Sequence, residues 1–242
     1  MTVLSKDFHL VAPDYPGFGF SDFPSMKRFE YSFENIALYI DKFTKAIKLK
    51  SYAIYLHDYG SYIGLRLCLK NPDKIDAIII QNGNNYTEGN GPQWDEIKNY
   101  WKNPTPGKRK KVYAFLSKKG TREQYFAGVP SKLRQKISPE SWIIDWERLS
   151  RPRNLSMQYR LNCTYPTNFE MFPLFQEYFR KYQPPALIIW GKYDIYFDVA
   201  EAYCYQKDLP KAKTHIVEGG HMALETNFDE IQSLIKNFLK KK

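Results

Sequence analysis

Apolar residues along the 242-residue chain fall into two rhythms. Phe33, Ile36, Ala37, Ile40, Phe43 and Ile47 recur every three or four positions. That spacing predicts an amphipathic helix over Ser32–Ile47, with Ser32 as its N-cap. Short, β-prone apolar runs at Phe8–Ala12, Tyr52–Leu56, Ile75–Gln81, Ala186–Trp190 and Lys213–Val217 predict strands. Further helices are predicted at Ser61–Lys70, stopped by Asn71-Pro72, at Val199–Lys207 and at Phe228–Leu239. A Pro/Gly loop, Asp14–Ser21, follows the first strand. Alternating strands and helices imply a parallel sheet flanked by helices.

The rhythm breaks between about residues 82 and 167. Strand runs vanish there, and Trp, Tyr and basic residues dominate, punctuated by Pro104, Pro106, Pro130, Pro139 and Pro152. This predicts a helical insertion. The expected organisation is a discontinuous α/β core, 1–84 plus 168–242, with a helical cap of 85–167 between its halves.

Charge sharpens the division. The chain carries a net +10, and the stretch from Asn85 to Thr167 holds 16 Lys and Arg against 7 Asp and Glu. Its densest patch is Lys108, Arg109, Lys110 and Lys111, followed by Lys118, Lys119 and Arg122. Such a patch attracts anionic surfaces, but no nucleic-acid motif accompanies it, so a solvated helix face is the plainer reading. The apolar and aromatic contents, 43% and 17%, exclude a disordered chain. The longest apolar runs are far below the ~20 residues a membrane span needs, and MTVLSKDF has no apolar signal region. Cys68, Cys163 and Cys204 are odd in number and lack a CxxC, so they read as reduced packing residues in a cytoplasmic protein.

Three segments that follow predicted strands carry candidate chemistry. In Leu56-His57-Asp58-Tyr59-Gly60 a tight strand-to-helix turn lifts Asp58 above the sheet; Gly60 permits the tight packing of the turn and Gly64 the close approach of the helix. Helix N–H groups behind Asp58 favour its ionised form, the form needed in a nucleophile. Taken alone, an Asp before a helix is usually an N-cap. Trp190-Gly191-Lys192-Tyr193-Asp194 ends in a carboxylate that can orient an imidazole, and Glu218-Gly219-Gly220-His221 supplies the imidazole. The order nucleophile, acid, base is far more specific than any member alone.

These segments, with VAPDYPGFGFSD (Val11–Asp22), QNGNNY (Gln81–Tyr86) and GGHMALE (Gly219–Glu225), make the chain resemble the haloalkane dehalogenase and epoxide hydrolase-like branch of the α/β-hydrolases. The resemblance implies an α/β-hydrolase fold with an inserted helical cap. It implies Asp58 as nucleophile, Asp194 as acid, His221 as base, and the Tyr59 backbone N–H as an oxyanion donor. It also implies an alkyl ester on Asp58 that His221-activated water hydrolyses, on a small apolar epoxide or haloalkane; an ester substrate is not excluded. No cofactor or metal is expected. The expected partner is a small-molecule substrate, with neither nucleic acid nor membrane.

Two departures from the family pattern stand out. Dehalogenases commonly place Trp after the nucleophile, where its indole grips the halide; here that residue is Tyr59. Epoxide hydrolases use cap tyrosines to protonate the epoxide oxygen, and Tyr165, near the return to the core, is the candidate taken here, with Tyr59 as a second substrate contact. Moreover, a strand ending in a His-Gly loop normally lies beside the elbow strand and supplies the second oxyanion donor. No His-Gly pair occurs in this sequence. The expectation is an N-terminally truncated chain whose first strands are missing, with a central gap in its sheet and half an oxyanion hole. Two other readings follow: a catalytically impaired or non-catalytic relic of the fold, and a binder of anionic surfaces through the basic cap.

Overall fold

The computed structural model describes residues 1–240. Strands β1 (Tyr52–His57), β2 (Ile75–Gln81), β3 (Ala186–Gly191) and β4 (Lys213–Val217) form one parallel sheet in that order. Leu56 stands beside Ile80, and Ile80 beside Ile188. β3 is buried along its whole length and β2 everywhere except Asp76. Both faces of these strands are covered, which is why they read as continuous apolar runs rather than alternations.

Helix α1 (Phe33–Ala46) starts where its cap predicts, Ser32 Oγ accepting from the Asn35 N–H at 3.2 Å. Helix α2 (Tyr59–Lys70) follows β1 without a spacer residue beyond Asp58. Between β2 and β3 the chain is helical: α3 (Asp95–Lys102), α4 (Pro106–Val112), α5 (Lys118–Phe126), α6 (Ser131–Arg134), α7 (Pro139–Leu149), α8 (Asn154–Cys163) and α9 (Pro166–Tyr182). Pro106, Pro139 and Pro166 each open a helix, where the missing N–H is no loss, and Pro130 caps another. The Lys111 side chain of the basic patch lies outside the described side chains. After β3 come α10 (Ala200–Asp208), α11 (Ala223–Thr226) and α12 (Phe228–Leu239).

The sheet separates two apolar layers. Ile78, Ile80, Ile188 and Trp190 face Tyr62, Phe175 and Phe179, from α2 and α9. Ile79, Leu187, Ile189 and Val217 face Ile231 and Ile235 of α12. No helix among the described residues is long and apolar enough to cross a membrane.

Phe8–Ala12 corrects an expectation. It forms no strand and pairs with no described segment. A β-strand exists through its ladder partner, and a run of β-prone residues without one stays irregular. The segment is held from its N-terminal side instead: Leu4 packs on the α12 face, and Asp7 pairs with Lys236 at 2.7 Å and Lys240 at 2.8 Å. The expected gap therefore takes another form. The four strands are contiguous, and the sheet ends in an open edge at β1, where Ala53 and Tyr55 are exposed.

Candidate active site

Asp58 occupies the junction of β1 and α2 with φ 45° and ψ −124°. L-residues avoid this region, at a cost of order 1–3 kcal/mol, and persist in it where surrounding structure forces them. Here the forcing comes from both sides. The Asp58 N–H donates to the Asn82 carbonyl at 3.3 Å, and its carbonyl accepts from the Ser61 N–H at 2.9 Å. The Asp58 side chain makes no capping hydrogen bond, so it is not spent as an ordinary N-cap. Close packing at the elbow is the work of Gly64: a Cβ there would lie 2.1 Å from Leu56 Cδ2 and 2.9 Å from Ile54 Cδ1. Gly60, expected to share that role, would meet only Tyr15 Oη, at an ordinary 3.6 Å.

Burial pushes the Asp58 carboxyl above its usual range; the charge of His221 and the Tyr59 backbone N–H pull the other way. The expected ionising influence of the helix end is present in that N–H, but desolvation outweighs it.

Asp194 follows β3 and has both oxygens fully engaged. Oδ1 accepts from the N–H groups of Tyr196 at 2.7 Å and Phe197 at 3.2 Å. Oδ2 accepts from Asn82 Nδ2 at 2.8 Å and lies 2.9 Å from His221 Nδ1. That contact fixes the imidazole with Nε2 left for the cavity. Burial works against a charged His221, but Asp194, followed by Asp58, more than offsets it and holds the imidazole above its ordinary pKa. The glycine loop lets this happen at close range. A Cβ on Gly191 would come 2.1 Å from the Gly220 carbonyl oxygen, so only glycine lets the histidine loop lie against the end of β3.

Asp58, Tyr59, Tyr165 and His221 line one cavity of about 600 Å³, walled further by Phe18, Trp94, Ile97, Leu116 and Phe197. Asp58 and His221 share no direct hydrogen bond among the described residues. Asp194 does not line the cavity; it stands behind His221.

Sequence reading missed two residues. Asn82, the first residue after β2, has φ 44° and bonds to three site elements: Asp194, the Gly191 N–H at 3.0 Å, and Asp58. Its position level with the elbow at the strand ends is the signal that could have found it. His57 belongs to the elbow segment but has no role in the sequence reading; its ring lies 4.8 Å from that of His221, and its Nε2 donates to the His221 carbonyl at 3.1 Å.

The sequence profile for the α/β-hydrolase fold matches residues 2–228. The chain belongs to the α/β-hydrolase fold family. A Saccharomyces cerevisiae protein described as an uncharacterized hydrolase is 35% identical over 229 residues, 93% of this chain and 78% of the relative. A haloalkane dehalogenase of Mycolicibacterium paratuberculosis is 32% identical over 74 residues, 31% of this chain and 24% of the dehalogenase. Among solved structures, a mutant of haloalkane dehalogenase DatA from Agrobacterium tumefaciens superposes with a TM-score of 0.71 at 19% identity, covering 94% of this chain and 78% of that one. At that identity the superposition speaks for the fold alone.

Proposed function

We propose that this α/β-hydrolase is an Asp-nucleophile enzyme acting on a small, largely apolar epoxide or haloalkane. The observation that carries the reading is a strained, uncapped Asp58 sharing a cavity with His221, whose far nitrogen Asp194 holds. In this reading the helical segment 85–167 is the cap that closes the cavity. A carboxylate oxygen of Asp58 attacks the electrophilic carbon, and the bond to halide or epoxide oxygen breaks. His221 then takes a proton from water at Nε2, and the hydroxide formed attacks the Asp58 carboxyl carbon. Asp194 stabilises the imidazolium. The Tyr59 N–H, already against the Asp58 carboxyl group, stabilises the tetrahedral oxyanion.

A single turnover in ¹⁸O-labelled water tests the chemistry. Water attacks the Asp58 carboxyl carbon, so the label is expected in the Asp58-containing peptide and not in the first product molecule. Replacing His221 with Gln is expected to halt the reaction at the Asp58 ester, visible as an intact-mass increase. Label appearing directly in the first product, or no adduct in the His221→Gln protein, overturns the reading.

A further inference from the structure

Three tyrosine rings line the cavity: Tyr59, Tyr165 and Tyr196. Two of their hydroxyls are committed. The Tyr165 hydroxyl lies 2.5 Å from that of Tyr62, deep among the rings of Phe33, Trp94 and Trp101. The Tyr59 hydroxyl is bonded to the Asn162 side chain. The Tyr196 hydroxyl has no hydrogen-bond partner among the described residues.

Everything else about Tyr196 is pinned. Its N–H donates to Asp194 Oδ1 at 2.7 Å. Its carbonyl accepts from Trp94 Nε1 at 2.6 Å and Gln93 Nε2 at 3.0 Å. Its ring stands edge-on to His221, centroids 5.1 Å apart. Burial raises the phenol to about 12, with Asp194, Glu123 and Asp58 adding to the rise. A pinned backbone that sets a tyrosine with an uncommitted hydroxyl in the wall of a mostly apolar cavity is the arrangement a hydrogen-bonding substrate atom requires.

We propose that Tyr196 is the catalytic acid for the leaving group, and that the substrate class is therefore an epoxide rather than a haloalkane. This rests on the Asp58 reading above. A halide departs as a weak base and needs no proton. A ring-opened alkoxide is a strong base, and a phenol that stays protonated at neutral pH is a suitable donor to it. As the Asp58 oxygen bonds to the epoxide carbon, the C–O bond breaks and its electron pair goes to oxygen. That oxygen takes the Tyr196 proton, leaving a phenolate. Hydrolysis of the ester by one water yields the second hydroxyl, the Asp58 carboxylate and one proton. His221 carries that proton, which returns to Tyr196 through solvent. The sum is epoxide plus water giving diol.

The test measures Asp58 alkylation by mass spectrometry with peptide mapping, in the His221→Gln protein and in its Tyr196→Phe double variant. The probes are styrene oxide and benzyl bromide, which share an aromatic ring and differ in leaving group. Tyr196→Phe is expected to slow alkylation by styrene oxide at least about a hundredfold. Alkylation by benzyl bromide is expected to change less than about threefold, since bromide needs no acid. Equal slowing with both probes shows a displaced site and overturns the proposal; so does undiminished reaction with styrene oxide. Absence of an Asp58 adduct with either probe in the His221→Gln protein overturns the nucleophile reading, and this one with it.

Discussion

Asn82 holds Asp194. Its Nδ2 donates at 2.8 Å to the same carboxylate oxygen that lies 2.9 Å from His221 Nδ1, while its carbonyl accepts the Asp58 N–H. One residue at a strand end thus meets the elbow through its backbone carbonyl and the Asp194–His221 pair through its side chain. Asn82→Ala is expected to cost about 1–3 kcal/mol, because the Gly191 N–H loses its partner and an alanine must hold φ 44°. Asn82→Gly accepts that backbone, so it should unfold at higher urea than the alanine variant. Both should lose turnover by roughly a hundredfold through misplacement of Asp194. Equal turnover in Asn82→Gly and the parent would refute the coupling.

In the proposed mechanism the two reaction steps should titrate separately. Ester formation needs Asp58 as carboxylate, and burial raises its pKa, so alkylation should rise with pH through a value above the ordinary carboxylate range. Ester hydrolysis needs neutral His221, whose pKa Asp194 holds up, so that step should rise through a value above the usual imidazole figure. Asp194→Asn removes the charge that raises it and should move the second limb to lower pH while leaving the first nearly in place. Pre-steady-state traces across pH 4–9 with styrene oxide read both limbs.

His57 predicts an acid limb in stability. Burial, then the charge of His221, lowers its pKa from 6.5 to about 3. In that window the unfolded chain binds a proton that the folded chain does not, so stability falls as pH drops from about 6.5 towards 3. The slope from this residue is at most about 1.4 kcal/mol per pH unit. His57→Gln should flatten the curve of urea midpoint against pH in that range. An unchanged slope would mean that His57 protonates in the native state.

Glu201 makes the opposite prediction. It is fully buried on α10, where Oε1 accepts the N–H groups of Asn85 and Tyr86, the latter at 2.9 Å, and Oε2 has no hydrogen-bond partner among the described residues. Burial drives its pKa well up. The folded chain then holds a proton that the unfolded one releases, so this group subtracts stability as pH rises above its ordinary 4.5. Glu201→Gln keeps the acceptor without the charge and should match or exceed the parent at pH 7. Glu201→Ala strands two backbone donors and should cost about 2–4 kcal/mol, read as a lower urea midpoint.

The sequence by itself determined the rhythm of the core. β2 and β4 run over the residues that their apolar pattern predicts, and Ser32 caps α1 as its side chain dictates. These are local matters, governed by period-two or period-3.6 burial and by short-range hydrogen bonds. The three motifs at strand ends were also legible, since strand order carries their residues to one edge of a parallel sheet. Phe8–Ala12 marks the limit: its residues favour a strand, but pairing is a property of two segments, and the second does not lie beside it. Tertiary structure alone decided which polar groups are engaged. The sequence pattern singles out Tyr165 and not Tyr196; packing turned the Tyr165 hydroxyl onto Tyr62 and left that of Tyr196, a cavity-lining residue, without a hydrogen-bond partner among the described residues. Asn82 gained its role from contacts more than 100 positions away in sequence, at Gly191 and Asp194. Hydrogen-bond saturation and desolvation depend on what surrounds a group in space, and that is set only when the chain has folded.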